Sequence, residues 1–359
     1  MKTKLLPALL VLASLSVPFV HAADAPQYKF LKEIKVGGDG GWDMLAADEA
    51  ARRLYVSHGN VVVVIDTDKD EVAGQIEDTQ GVHGFAIAPE LGLGFSSNGR
   101  ENKVSIVDLK TLKTNSKVDT GENPDEIIYE PGNKEVYAFN GRGQSATVID
   151  AKSGKVTTTI ALPGKPEFAV ADPDAGRVYC NIEDKSEVVA IDTKTHQIVN
   201  TWPVAPGEEP SGLAYDAKNH RLFLGCGNKM MVMMDSTNGK VLGNVSIGQG
   251  VDGTSFDPGT LLAFSSCGEG NTYIAHEDAP DKLTPVQTLP TQRGARTMTI
   301  DPKTHKIYLP TAQFEAPASP SPAASASPAA STSPAKEAPR SRPKMVPDTF
   351  KVLVYGLEK

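Results

Sequence analysis

The chain is poor in cysteine, in tryptophan and in basic charge, and each shortage excludes something. Cys180, Cys226 and Cys267 are the only cysteines in 359 residues. An odd set of three allows at most one disulfide, so no disulfide framework holds the fold. Basic residues number 36 against 44 acidic ones, for a formal net charge of −8. That balance lacks the basic footprint that phosphate backbones require, so nucleic acid is not an expected partner. Beyond the N-terminal segment no stretch approaches the roughly 18 apolar residues of a membrane span. Serine nucleophile elbows, phosphate loops, haem-attachment Cys-x-x-Cys-His and zinc-protease motifs are missing too. Their absence removes the enzyme classes most readily read from sequence.

The first residues are of a different kind. Lys2 and Lys4 precede an almost unbroken apolar run from Leu5 to Val20, and Val20-His21-Ala22 is a small-x-small site. This pattern reads as a cleavable signal peptide over residues 1–22. The mature chain is then expected to start near Ala23, to be periplasmic or secreted, and to have no transmembrane segment.

What the chain has in abundance is an internal repeat. An anchor residue, often Asp followed by Pro, precedes an aromatic by seven positions seven times over, with a period of 40 to 44 residues. The anchors are Asp48, Ala88, Glu130, Asp172, Asp216, Asp257 and Asp301. The aromatics are Tyr55, Phe95, Tyr137, Tyr179, Phe223, Phe264 and Tyr308. Each repeat reads as four short strands, a to d. Strand a runs up to the anchor, a turn follows, and strand b carries the aromatic. Strand c is apolar on both faces and ends in Asp (Asp66, Asp108, Asp150, Asp192, Asp235), which opens the turn to strand d. These aspartates are expected to bond their own backbone rather than to act in chemistry.

Four-stranded units at this period predict an all-β fold, a seven-bladed β-propeller forming a single domain over 23–359. The last repeat has no strand d, and a spare strand, Tyr28 to Val36, precedes the first. That strand is expected to complete the seventh blade beside the C-terminal strand, which covers an open edge.

The strand-b pieces Tyr55-Val56-Ser57-His58, Phe95-Ser96-Ser97-Asn98 and Tyr137-Ala138-Phe139-Asn140, with turns such as Asp150-Ala151-Lys152-Ser153-Gly154-Lys155, resemble the YVTN repeat of WD40/YVTN-like propellers, in its YncE-like branch. The resemblance covers the expected mature chain apart from one insertion. It implies a periplasmic binding protein, with single-stranded DNA suggested as a ligand for some members. The departure is residues 314–347, rich in Pro, Ala and Ser, which interrupt the seventh repeat between strands b and c and are expected to be disordered. Its basic cluster is Lys336, Arg340, Arg342 and Lys344.

The register also places a candidate site. Strand a should line the central channel, and the residue five before each anchor should stand at its mouth: Asp43, His83, Asp125, Glu167, Ser211, Asp252 and Arg296. Trp42 and Glu126 adjoin this ring. Three residues after the aromatics, His58, Asn98 and Asn140 end strand b on the same face. Carboxylates brought together repel unless a cation shares the site. Asp43, His83, Asp125, Glu167 and Asp252 are therefore candidate ligands of a divalent cation, with Arg296 offsetting part of the charge. The bland alternative is a wet, charged funnel with no ligand. Cys226 and Cys267 occupy equivalent positions in adjacent blades, where a disulfide or a soft metal site is an alternative but the spacing is expected to be too wide for a bond. Met230, Met231, Met233 and Met234 fall where other blades place Val and Ile, so core packing is expected of the methionines. His196, His220 and His305 are expected to be solvated on the opposite face.

The function expected is that of a monomeric binding protein without catalysis, holding a small molecule, a metal or a protein partner at the channel mouth. Two alternatives stay open. One is a metal-dependent lactonase- or lyase-like enzyme, a class seen on related propellers, in which Glu167 or Asp252 holds the metal and His83 is the base. The other is an interaction scaffold with the insertion as a tether.

Overall fold

A computed structural model describes residues 27–315 and 344–358. The expected signal peptide and all of the insertion but its two stems lie outside those residues. No helix among the described residues is long and apolar enough to cross a membrane.

Seven four-stranded antiparallel sheets form the molecule. Six are built from consecutive strands, as in blade 1: Trp42–Asp48, Arg53–His58, Val61–Asp66 and Glu71–Ile76. The innermost strands are Trp42–Asp48, Val82–Ala88, Pro124–Glu130, Pro166–Asp172, Pro210–Asp216, Val251–Asp257 and Thr299–Asp301. Each touches the next around the ring, and the last returns to the first. The seventh sheet is composite: Thr299–Asp301, Lys306–Thr311 and Lys351–Leu357 supply three strands, and Tyr28–Lys35 adds the fourth. Register runs from Tyr28 opposite Leu357 to Lys35 opposite Lys351. The spare N-terminal strand thus closes the ring, and the fold is an all-β, seven-bladed propeller.

The repeat aromatics explain why the sheets stack. All seven are at most 3 % exposed. A β-sheet needs an apolar partner on each buried face, and strands b and c here are covered on both sides. The buried side chains form seven clusters, each mixing two successive blades. Tyr55 packs with Phe85, Tyr137 with Val178, Phe223 with Ala263, and Tyr308 with Leu54. Tyr55 stacks on Phe85 with centroids 4.5 Å apart, and Phe223 on Phe256 at 4.9 Å. Met231, Met233 and Met234 are fully buried in the same way, and the three cysteines are free and buried.

Turn chemistry follows the expected pattern. Asp66, Asp108, Asp150, Asp192 and Asp235 each accept hydrogen bonds from backbone N–H groups two or three residues on. The face opposite the channel mouth holds a feature that the repeat pattern leaves unmarked. Every seam between blades carries a polar clasp: Arg53 to the Leu109 carbonyl, Tyr129 to Glu90, His196 to Glu135, Tyr215 to Asp172, Asn219 to Glu277, His305 to Asp257 and Arg52 to Asp301. His196 and His305 are therefore clasp residues, 2.8 Å and 2.7 Å from their carboxylates, and His220 contacts Tyr215. The expectation of solvation is corrected for His196 and His305, since the blades converge closely enough there for a turn residue of one to reach its neighbour, while His220 is exposed as expected.

Ile34, 3 % exposed in the closing strand, packs with Tyr308 and Val354. Ile34→Ala should lower stability by about 2–4 kcal/mol in a thermal melt, the cost of a buried large-to-small change. The exposed control Val72→Ala should stay within about 0.5 kcal/mol of the parent. Equal effects would mean that the closing strand contributes no core.

Candidate functional site

Six of the inner strands carry a register shift at their mouth end: between Trp42 and Leu45, Val82 and Phe85, Pro124 and Ile127, Pro166 and Ala169, Pro210 and Leu213, and Val251 and Gly253. A bulge bends its strand and re-aims a side chain. Each shift encloses the ring residue read from the repeat. Neighbouring blades then pin the ring backbone. Ser97 donates to the Asp125 carbonyl, Asn181 to Ser211, Ser266 to Arg296 and Thr297 to Asp43. Gly212 permits this closeness: a Cβ there would lie 2.6 Å from the Thr254 nitrogen.

The ring side chains form a chain of contacts. His83 Nδ1 lies 2.7 Å from Asp43 Oδ2 and 3.3 Å from Asp125 Oδ1. Arg296 Nε donates to Asp252 Oδ2 at 2.5 Å, and its Nη2 stands 3.8 Å from Asp43 Oδ1. Ser211 Oγ donates to Asp252 Oδ1 at 3.0 Å. Acid and base therefore alternate from Asp125 through His83, Asp43 and Arg296 to Asp252 and Ser211. Glu167, the seventh position, pairs with Lys165, which also reaches Glu183 at 2.6 Å.

Electrostatics follow from this crowding. Burial opposes a charged His83, but the hydrogen bond to Asp43 and the charges of Asp125, Asp43 and Glu167 outweigh it, so the imidazole titrates above its ordinary range. Burial, with the charges of Asp43 and Asp252 set against that of His83, pushes Asp125 up to about 6. Burial and then Asp125 raise Glu167, and burial raises Asp252 against the pull of Arg296. Glu126 is the extreme case. It is buried, its Oε2 has no hydrogen-bond partner among the described residues, and burial followed by the charges of Asp125, Asp43 and Glu167 lifts it well above the carboxylate range.

Asp43, His83 and Asp125 are the one trio of His, Cys, Asp or Glu among the described residues able to share a metal ion, with donor atoms within 4.8 Å of one another. Glu167 and Asp252 stand outside that trio, committed to Lys165 and to Arg296 with Ser211. His58, Asn98 and Asn140 turn into the blades. His58 is buried and stacks on Phe350 at 4.0 Å, and burial lowers its pKa. Asn98 donates to Glu101 and Ser105, and Asn140 to Ser145 and Thr147. Trp42 stacks on Phe350 at 5.5 Å.

Above the ring opens a cavity of about 520 Å³, lined by Trp42, Asp43, His83 and Arg296 and also by Arg100, Asn123 and Arg142. The two additional arginines escaped the sequence reading. Each stands five positions after a repeat aromatic, Phe95 and Tyr137. The b–c hairpin comes to the same face as the ring, so that register was the signal to follow.

No family model and no curated protein matches this sequence. Solved structures match the fold. A chain of Kuenenia stuttgartiensis hydrazine synthase aligns with a TM-score of 0.67 at 15 % identity, covering 78 % of this chain and 94 % of its own. A chain of a mitotic checkpoint complex aligns with a TM-score of 0.68 at 13 % identity, covering 86 % and 96 %. At these identities the likeness establishes the propeller fold alone.

Because the folded-state pKa of Glu126 is raised, the unfolded chain releases that proton first, and a stability penalty grows as pH rises above the ordinary 4.5. Glu126→Gln should therefore melt with the parent near about pH 4 and above it near about pH 8, gaining up to about 1.4 kcal/mol per pH unit until Glu126 ionises in the fold. A variant equal to the parent at both pH values would mean that Glu126 is not held neutral.

Proposed function

We propose that this chain is an exported binding protein of the YVTN-repeat, YncE-like kind, which holds a small ligand at its channel mouth and does not turn it over. One observation carries the reading. The contact chain from Asp125 to Ser211 is held by bulges and by bonds from neighbouring blades, and its members Asp43, His83 and Arg296 line a cavity of about 520 Å³. Ligand sites are concave, largely preformed and marked by a few convergent polar groups with displaced pKa values.

A divalent cation held by Asp43, His83 and Asp125 is a specific form of this reading, supported by the convergence of their donor atoms. Two carboxylates and an imidazole suit Mn²⁺ or Zn²⁺ better than Ca²⁺, which prefers an all-oxygen shell. His83 must lose its proton to serve as a ligand. Its raised pKa places that loss above the ordinary imidazole range, so binding should strengthen as pH rises. In the enzyme reading carboxylates alone would hold the metal, and His83, not ligated, would be the base toward bound water. Its Nε2 has no hydrogen-bond partner among the described residues and its ring lines the cavity. A scaffold role stays with the blade rims, and one of the fold neighbours is itself part of a protein complex.

The test is a thermal melt of EDTA-treated protein against Mn²⁺, Zn²⁺, Mg²⁺ and Ca²⁺. At about 100 times its dissociation constant a bound cation should add about 2.7 kcal/mol. The shift should be present near about pH 8, lost near about pH 5.5 and absent in Asp43→Asn/Asp125→Asn. No shift with any cation removes the metal form of the proposal. Turnover of an ester or lactone panel that disappears in EDTA and in His83→Ala would replace binding with catalysis.

A further inference from the structure

A second cavity, of about 630 Å³, adjoins the first and shares Gly41, Trp42 and Arg296 with it. Its character differs. Phe314, Met345 and Pro347 complete the wall with Trp42. Trp42 and Phe314 meet with ring centroids 5.9 Å apart at a tilt of 46°. The wall is built from the two stems of the insertion. Phe314 bridges to Met345, Glu315 N donates to the Lys344 carbonyl at 2.8 Å, and Val346 N donates to that of Gln313 at 2.8 Å. An aromatic pair with a methionine beside it makes an apolar slot for a flat body.

The charged end has the opposite need. Arg142 is exposed and has no hydrogen bond or ion pair among the described residues, and the one partner of Arg100 is the Asn60 side chain at 3.5 Å. In a chain of net charge −8, two arginines on one cavity without a carboxylate partner are a local excess of positive charge. The acids below do not supply the missing counter-charge. Asp43 and Asp125 face His83, and Asp252 faces Arg296 and Ser211. A guanidinium fork matches a planar oxyanion, and an unpaired one facing a cavity is a binding group for such an anion.

We propose that the joined cavity binds an organic anion with a flat apolar body. The body lies in the Trp42–Phe314–Met345 slot, and the acid group faces Arg100, Arg142 and the shared Arg296. This rests on the channel-mouth reading and names the ligand class for it. The carboxylate and the phosphate monoester share the required chemistry, and the experiment separates them.

The probes are 2-naphthoate, 2-naphthyl phosphate and the neutral isostere 2-naphthamide, titrated calorimetrically into the full chain. At least one anion should bind at least ~10-fold tighter than the amide, and the tighter anion identifies the acid group. Arg100→Gln/Arg142→Gln should weaken the anions by at least ~10-fold, the loss of a charge-assisted hydrogen bond, and leave the amide unchanged. Both arginines are exposed, so the melting temperature of this variant should match the parent's. Phe314→Ala should weaken anion and amide alike. An amide as tight as the anions, an arginine pair without effect, or no binding of either anion at about millimolar concentration overturns the proposal. If no anion binds while a cation shift still depends on Asp43 and Asp125, only this proposal falls and the channel-mouth reading stands. If neither is seen, both fall.

Discussion

Everything in this molecule depends on sheets packing face to face around a closed circle. Each blade offers one aromatic from its second strand to the blade that follows, and seven buried clusters result, none belonging to a single blade. A blade alone would leave two apolar faces in water, so the free energy of the fold lies between repeats more than within them. Closing the circle removes the last two open faces. The polar clasps at the seams act at the same interfaces, where a charge is paired only if two blades are in place.

Closure also creates the site. Seven inner strands aimed at one axis bring seven side chains to one mouth, whatever those side chains are. In this chain they are six ionisable groups and one serine. Burial and crowding raise Asp125, Glu167 and Asp252, the acidic neighbours raise His83, and pairing with His83, Arg296 and Lys165 makes the arrangement tolerable. Loops at the end of a rigid scaffold are where binding groups are positioned with least cost to the core, and here both the ring and the arginines above it lie at that end.

The fold was legible because its information is repeated. One aromatic in a fixed register is weak evidence, and seven are not. The same register named the ring residues, because position along strand a is a counting matter. It could not say which ring residues would touch. That depends on the bulges at Trp42–Leu45 and its counterparts, a property of hydrogen-bond registration between two strands rather than of either sequence. His58, Asn98 and Asn140 show the limit from the other side. They share a face with the ring in the count, yet Asn98 and Asn140 find nearer partners inside their own blades and His58 stacks on Phe350 of the seventh. Arg100 and Arg142 were passed over because only two of seven hairpins carry an arginine there, and a feature present in two repeats does not stand out as a pattern. The seam clasps rest on contacts between residues dozens of positions apart, which no local pattern encodes.

The composite seventh blade has a consequence for how the chain comes to exist. The strand Tyr28–Lys35 is among the first described segments to be synthesised, and its partner Lys351–Leu357 is the last. During synthesis the early blades can form, but the first strand has nothing to pair with and the ring has an open side. This pairing joins the two ends of the described chain, and the loop-closure entropy for it is met only once every other blade is available. Completion of the ring therefore waits for Lys351–Leu357, and without that strand the seventh sheet keeps an open edge.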